Sequence, residues 1–244
     1  LASQGLRFTQ FYSGSTVCGP ARSTLMTGYH TGNTSVRGNT GGIPLLDEDV
    51  TIAEMLKSKG YKTGMFGKWG LGDFETSGTP DKQGFDEYFG YLHQVHAHFY
   101  YSEYLWDNGE KMFLDGNKDG NRNQYTHDLI TEKALEFIDD NSKDPFFLYV
   151  GYTIPHTELL VPEDSMNEYL GNWDEPNPYV GHHYASQPYP RSAFAGMVSR
   201  MDRDVGRIMD ILDELNLTNE TIIFFTSDNG GQGFDGPDLE FFDG

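Results

Sequence analysis

Residues 15–28 read Ser-Thr-Val-Cys-Gly-Pro-Ala-Arg-Ser-Thr-Leu-Met-Thr-Gly, and the rest of the chain is organised around them. Cys18 is the only cysteine among 244 residues. An intrachain disulfide and a cysteine-rich metal site are therefore excluded. Pro20 suits a first helical turn, because its missing N–H has no partner there in any case. Residues 21–26 can continue that helix, and Thr27-Gly28 ends it. Cys18 then faces the positive end of a short helix, a setting that attracts anions. Read alone, a single cysteine is also a small buried hydrophobe. A thiolate phosphatase loop is excluded, since it needs Arg six positions after the cysteine and Thr24 stands there.

The chain carries 37 acidic and 17 basic residues, a net charge of −20. No basic stripe is visible, which argues against nucleic acid and anionic membranes as partners. No apolar run is long enough to span a bilayer. Any anionic substrate must then be drawn in by local cations against the overall field.

Working outward, residues 6–12 alternate apolar and polar and predict a short strand. Residues 51–59 predict a helix, with Thr51 and Glu54 at capping-box spacing and Gly60 as the stop. Residues 61–66 predict a strand that runs into Gly67-Lys68-Trp69-Gly70. Residues 126–140 predict an amphipathic helix. Residues 145–152 form a nearly continuous apolar run, as expected of a strand in a buried parallel sheet, and lead to Pro155-His156. Residues 161–190 are a Pro/Tyr/Asn-rich excursion. Residues 191–215 predict the longest amphipathic helix. Residues 221–225 predict a β-branched and aromatic strand that ends at Asp228-Asn229-Gly230-Gly231. Strands alternating with helices predict an α/β fold with a largely parallel central sheet flanked by helices. Lys68, His156 and the Asp228-Asn229 pair then fall where strands end, at the rim where open α/β sheets bind ligands.

Taken alone, Asp228 and Asn229 are either an ordinary Asx turn or hard oxygen ligands for Ca²⁺ or Mg²⁺. The aromatic run at residues 99–106 is either core or a platform for sugar rings and aryl groups. Asn33, Asn216 and Asn219 lie in glycosylation triplets, which are common by chance.

Cys-x-Pro-x-Arg followed by Leu25-Met26-Thr27-Gly28 resembles the signature of the type I sulfatases, in the alkaline-phosphatase superfamily. The resemblance implies an alkaline-phosphatase-like α/β fold and hydrolysis of sulfate monoesters, of a sulfated glycan or an aryl sulfate. It implies that a maturation enzyme oxidises Cys18 to formylglycine, whose hydrate is the nucleophile. Arg22 would hold that group, Lys68 would contact it and the sulfate, and His156 would contact sulfate and protonate the leaving oxygen. Asp228 and Asn229 would ligate the divalent cation, usually Ca²⁺ with Mg²⁺ possible, together with the residue made from Cys18. Residues 1–244 would be the front part of the catalytic domain, without its first strand, which carries a further acidic pair, and without its C-terminal subdomain. Family habit implies a periplasmic or secreted protein.

The chain departs from the family pattern at two points. Tyr29 stands where an arginine often follows Thr-Gly. Gly70 stands where Gly-Lys-Trp-His-Leu-Gly has its histidine, and a glycine neither binds sulfate nor moves a proton. One expectation is that His96 or His98 fills the gap in substrate binding; residues i and i+2 of a strand point the same way, so the two could also form a metal pair. The other is that both are half-buried partners of the nearby tyrosines. Two rival functions stay open. One is a phosphomonoester or phosphodiester hydrolase of the same superfamily. The other is a non-catalytic, sugar-binding pseudosulfatase.

Overall fold

A computed structural model describes residues 1–231 of the chain. At its centre lies strand β1 (Lys62–Lys68), buried from Thr63 onward. Parallel strands flank it on both sides, β2 (Glu87–Tyr91) and β5 (Phe146–Gly151). Strands β3 (Tyr104–Asp107) and β4 (Glu110–Phe113) extend the sheet antiparallel, giving the order β4-β3-β2-β1-β5. The sheet is therefore mixed rather than largely parallel. Its antiparallel half follows from the chain's own turn chemistry. Asn108 and Gly109 both take positive φ, at 46° and 92°. Such a two-residue turn can join only antiparallel neighbours, whereas a parallel pair needs a long crossover.

Successive side chains of β1 enter opposite cores. Met65 lies with Leu45, Trp69, Phe85 and Tyr88 on one face. Phe66 lies with Phe89, Tyr91, Leu105, Ile130 and Phe137 on the other. Helix α1 (Cys18–Thr27) begins at the cysteine and ends at Gly28, whose φ is 70°. Helix α2 (Ile52–Lys57) carries the expected capping box, in which Thr51 and Glu54 each satisfy the other's backbone N–H. Helix α3 (Thr126–Asp140) covers the second core through Ile130, Ala134 and Phe137. The short helix α4 (Glu163–Asn167) and the long helix α5 (Pro190–Glu214) follow β5. Ala193 and Met197 of α5 join Tyr100, Tyr125 and Ile154 in a third core.

A buried polar joint ties α3 to α5. His127 Nε2 lies 2.9 Å from Asp204 Oδ2, and both side chains are fully buried. Arg203 and Arg207 also reach Asp204, and Arg200 holds Asp128. His127, Asp128 and Asp204 could place ligand atoms within 4.8 Å of one another. Arginines already neutralise both carboxylates, so this group is an ion-pair joint rather than a metal centre.

Two expected strands do not form. Residues 6–12 are irregular, with Leu6, Phe8, Phe11 and Tyr12 exposed. Residues 221–225 are also irregular, and Ile222 and Phe224 are more than four-fifths exposed. A strand needs a ladder partner as well as β-propensity. Among the described residues neither segment has one, and β5 pairs on one side only, with β1. The aromatic run at 99–106 is largely core: Tyr100, Leu105 and Trp106 are buried. Among the described residues no helix is long and apolar enough to cross a membrane.

Candidate active site

Cys18 opens α1, buried, with its neighbour Gly19 fixed by a 2.9 Å hydrogen bond from its N–H to Asn39 Oδ1. One turn on, the buried side chain of Arg22 reaches three elements. Its Nη1 donates to the carbonyl of Lys68 at 2.7 Å and to the Tyr149 hydroxyl at 2.9 Å. Its Nε and Nη2 both reach Asp228 Oδ2, at 3.0 and 2.9 Å. Arg22 thus joins the helix, the end of β1, the middle of β5 and the Asp228 loop. Burial works against its charge, but Tyr149, Asp228 and Cys18 outweigh it and hold the guanidinium firmly protonated.

Lys68 is the last residue of β1 and is 3% exposed. Burial, then the Arg22 charge, bring its pKa down to about 8, with Cys18 and Asp228 pulling the other way. His156 follows the cis Ile154–Pro155 peptide beyond β5 and shares the field of Lys68 and Asp228. Burial, Lys68 and His98 push its pKa down to about 3, so the resting imidazole is neutral.

The two histidines offered for the gap at Gly70 separate. Residues His96–His98 form a single turn of 3₁₀ helix rather than a strand. At three residues per turn, positions i and i+2 diverge instead of sharing a side. His96 packs on Tyr91 and Tyr104 and hydrogen-bonds to Ser102, the tyrosine-partner role. His98 instead stacks on His156, with ring centroids 4.8 Å apart, and lies 3.3 Å from the Tyr184 hydroxyl through Nδ1. Burial, Lys68 and His183 lower its pKa to about 4.

Asp228 and Asn229 follow one another in a loop, half-buried. Asn229 Nδ2 bonds to the Gly230 carbonyl, while its Oδ1 is buried without a hydrogen-bond partner among the described residues. A buried acceptor in that state is uncommon, and a hard cation is a natural partner for it. The oxygens of Asp228 and Asn229 therefore fit part of a Ca²⁺ or Mg²⁺ ligand set.

The structure gathers Cys18, Arg22, Lys68, His98, His156 and Asp228 into one locus, with Asn229 adjacent to Asp228, and leaves His96 outside it. Sequence reasoning missed Tyr149, an isolated polar side chain within an apolar run. It also missed His183 and Tyr184, in a loop without periodicity. The assembled groups put two buried cations, Arg22 and Lys68, beside Cys18, and two neutral imidazoles, His98 and His156, beside Lys68. That arrangement receives a tetrahedral anion and offers a proton carrier beside it.

Residues 1–239 match the family model described as Sulfatase. The chain belongs to the sulfatase family. It is 34% identical to an arylsulfatase of Hemicentrotus pulcherrimus over 255 residues, covering 94% of this chain and 41% of that protein. It is 29% identical to the human N-acetylgalactosamine-6-sulfatase, covering 94% of this chain and 44% of that one. Among solved structures it resembles Ps i-CgsB in complex with k-i-k-neocarrahexaose. The TM-score is 0.73 at 30% identity, over 92% of this chain and 51% of that one. The chain thus spans about two fifths of the length of these curated sulfatases, and the fold is the α/β fold that their family signature implied.

Proposed function

We propose that the protein hydrolyses sulfate monoesters, with formylglycine made from Cys18 as the nucleophile and a sulfated glycan or aryl sulfate as substrate. The observation that carries this reading is the buried Arg22 side chain, which lies one turn after Cys18 and holds the Lys68 carbonyl at 2.7 Å and the Asp228 carboxylate at 2.9 Å. The hydrated aldehyde supplies a hydroxyl that attacks sulfur and a second that releases the sulfate without an external nucleophile. Asp228 and Asn229 would hold a divalent cation, which supplies positive charge close to the reacting sulfate.

The chain's own side chains do the rest. Lys68 neutralises charge on the sulfate oxygens. Arg22 is a positioning residue, since its donors are taken up by protein acceptors. His156 is neutral before substrate arrives. An anionic ester beside it offsets the Lys68 charge and raises its proton affinity, so it can hold a proton for the leaving oxygen. His98, stacked on it, fixes the ring's plane.

The test uses full-length protein produced with a formylglycine-generating enzyme. Mass spectrometry of the Cys18 peptide should show the aldehyde. Rates on matched sulfate and phosphate monoesters should favour sulfate, and Cys18→Ala should abolish turnover. Faster phosphate hydrolysis, or full activity in Cys18→Ala, would overturn the reading.

A further inference from the structure

Gln94 is only 2% exposed, yet neither its Nε2 nor its Oε1 has a hydrogen-bond partner among the described residues. An amide buried in this state is costly, and an apolar residue of similar shape would serve a core better. Its position is specific. A Cβ at Gly70 would collide with Gln94 Oε1 and would stand 3.9 Å from Arg22 Cδ. Gly70 has φ +77°, and its N–H bonds to the Leu92 carbonyl at 3.0 Å, which fixes this loop against the segment bearing Gln94. Gln94 also lines a small cleft with Gly19, Gly38, Asn39, Gly41 and Gly70. Gly19 is the residue after Cys18, and Gly70 lies two positions beyond Lys68. Val36 and Ile43 complete the cleft wall, and Gln94 and Asn39 are its polar side chains. Asn39 Oδ1 is already bonded to the Gly19 N–H. The unsatisfied amide is thus the cleft's one uncommitted donor and acceptor pair among the described residues.

We propose that Gln94 is a substrate-binding residue that selects a sulfate ester with a free hydroxyl on the neighbouring carbon. The inference rests on the hydrolase reading above. A sulfate group alone offers only acceptors and would leave Oε1 unpaired. A sulfated carbon beside a hydroxylated one offers both partners. Nε2 donates to a sulfate oxygen and Oε1 accepts from the hydroxyl. That pairing points to a carbohydrate sulfate rather than a simple aryl sulfate. Gln94 does no proton transfer, because an amide has no titration in the working range.

Two aryl esters, followed by release of inorganic sulfate, separate the cases in full-length, matured protein. Catechol monosulfate carries a hydroxyl, protonated at neutral pH, next to the ester, and phenyl sulfate, with a leaving group of similar acidity, does not. One neutral hydrogen bond in a dry site gives the wild type about a tenfold preference in kcat/KM for the first. Gln94→Leu and Gln94→Ala should erase that preference. Gln94→Glu keeps the acceptor but repels the anion, and should lose activity on both esters. The melting temperature of Gln94→Leu should stay level or rise, since an unsatisfied amide is being removed. A preference that survives in Gln94→Leu and Gln94→Ala, or an equal rate on both esters in the wild type, overturns the Gln94 assignment and leaves the hydrolase standing. A matured wild type inert towards both esters overturns the hydrolase reading, and the Gln94 assignment falls with it.

Discussion

Arg22 and Asp228 stand 206 positions apart in sequence, and their guanidinium and carboxylate meet at 2.9 Å. The same guanidinium holds the carbonyl of Lys68. Lysine at position 22 has a single charged head and cannot serve Asp228, Tyr149 and the Lys68 carbonyl at once. Arg22→Lys should therefore lower kcat/KM by about 10²-fold through misplaced partners. Arg22→Ala should also cost about 3 kcal/mol of stability, because it leaves a partly buried carboxylate without its counter-charge. Steady-state kinetics and denaturant melts check both. A Lys variant with wild-type kinetics would remove Arg22 from the positioning role.

The middle of the sheet is held by close backbone contact. Gly67 has φ +110°, and a Cβ there would overlap the carbonyl of Gly151 on β5. That carbonyl is backbone in a paired strand and cannot swing aside. Gly67→Ala should cost about 3 kcal/mol or more, the sum of an overlap in a packed sheet and a strained φ. Gly28 makes the control. Its φ is 70°, but a Cβ there meets nothing within 4 Å. Gly28→Ala should cost about 1–2 kcal/mol from the backbone alone. Equal losses in the two variants would count against the close-contact account of Gly67.

Those contacts also show which parts of the site could be read from the chain. Lys68 was legible because it ends an apolar run, and strand ends in an α/β sheet form one rim. Thr51 and Glu54 were legible because a capping box is local. The strands at 6–12 and 221–225 were misread because alternation reports propensity, whereas a strand also needs a neighbour. The shared direction expected of His96 and His98 fails because the segment turns into a 3₁₀ helix, where the strand rule for side-chain direction does not hold. Gln94, His183 and Tyr184 carry no local signal. Their places depend on how loops 90–100 and 180–190 cross the rim, and that is set by tertiary packing alone.

The joint between α3 and α5 makes stability depend on pH. Burial lowers the pKa of His127 and outweighs the pull of Asp204. The unfolded chain takes up a proton there near pH 6.5, while the folded chain does so only at lower pH. Stability should therefore fall as pH drops through 6.5. For Asp204, burial acts to raise the pKa, but His127 and Arg203 prevail and hold the carboxylate well below its ordinary range. Its contribution is present above the unfolded carboxyl pKa of about 3.9 and is lost as pH falls further. Both groups work in the same direction. Melting temperatures from pH 8 to pH 4 should decline, and His127→Gln, which keeps a donor but does not titrate, should flatten the limb between pH 7 and pH 5. Parallel curves for the wild type and His127→Gln would remove His127 as the cause.

The parting of His96 from His98 gives a double test on residues two positions apart. His96 meets Tyr91 at 4.9 Å and Tyr104 at 4.4 Å between ring centroids and bonds to Ser102, so its surroundings are core. His96→Ala should cost about 2 kcal/mol, as loss of a packed and hydrogen-bonded ring does, and leave kcat unchanged in the folded fraction. His98 meets His156 and Tyr184 at the mouth of the site. His98→Ala should lower kcat/KM by about tenfold with a smaller loss of stability, because the ring proposed to carry the leaving-group proton loses its stacking partner. His98→Phe keeps a stacked ring but drops the contact with the Tyr184 hydroxyl, and should recover most of the rate. If His98→Phe is no better than His98→Ala, then His98 acts through its nitrogen and takes part in binding directly, and the stacking role given to it here is wrong.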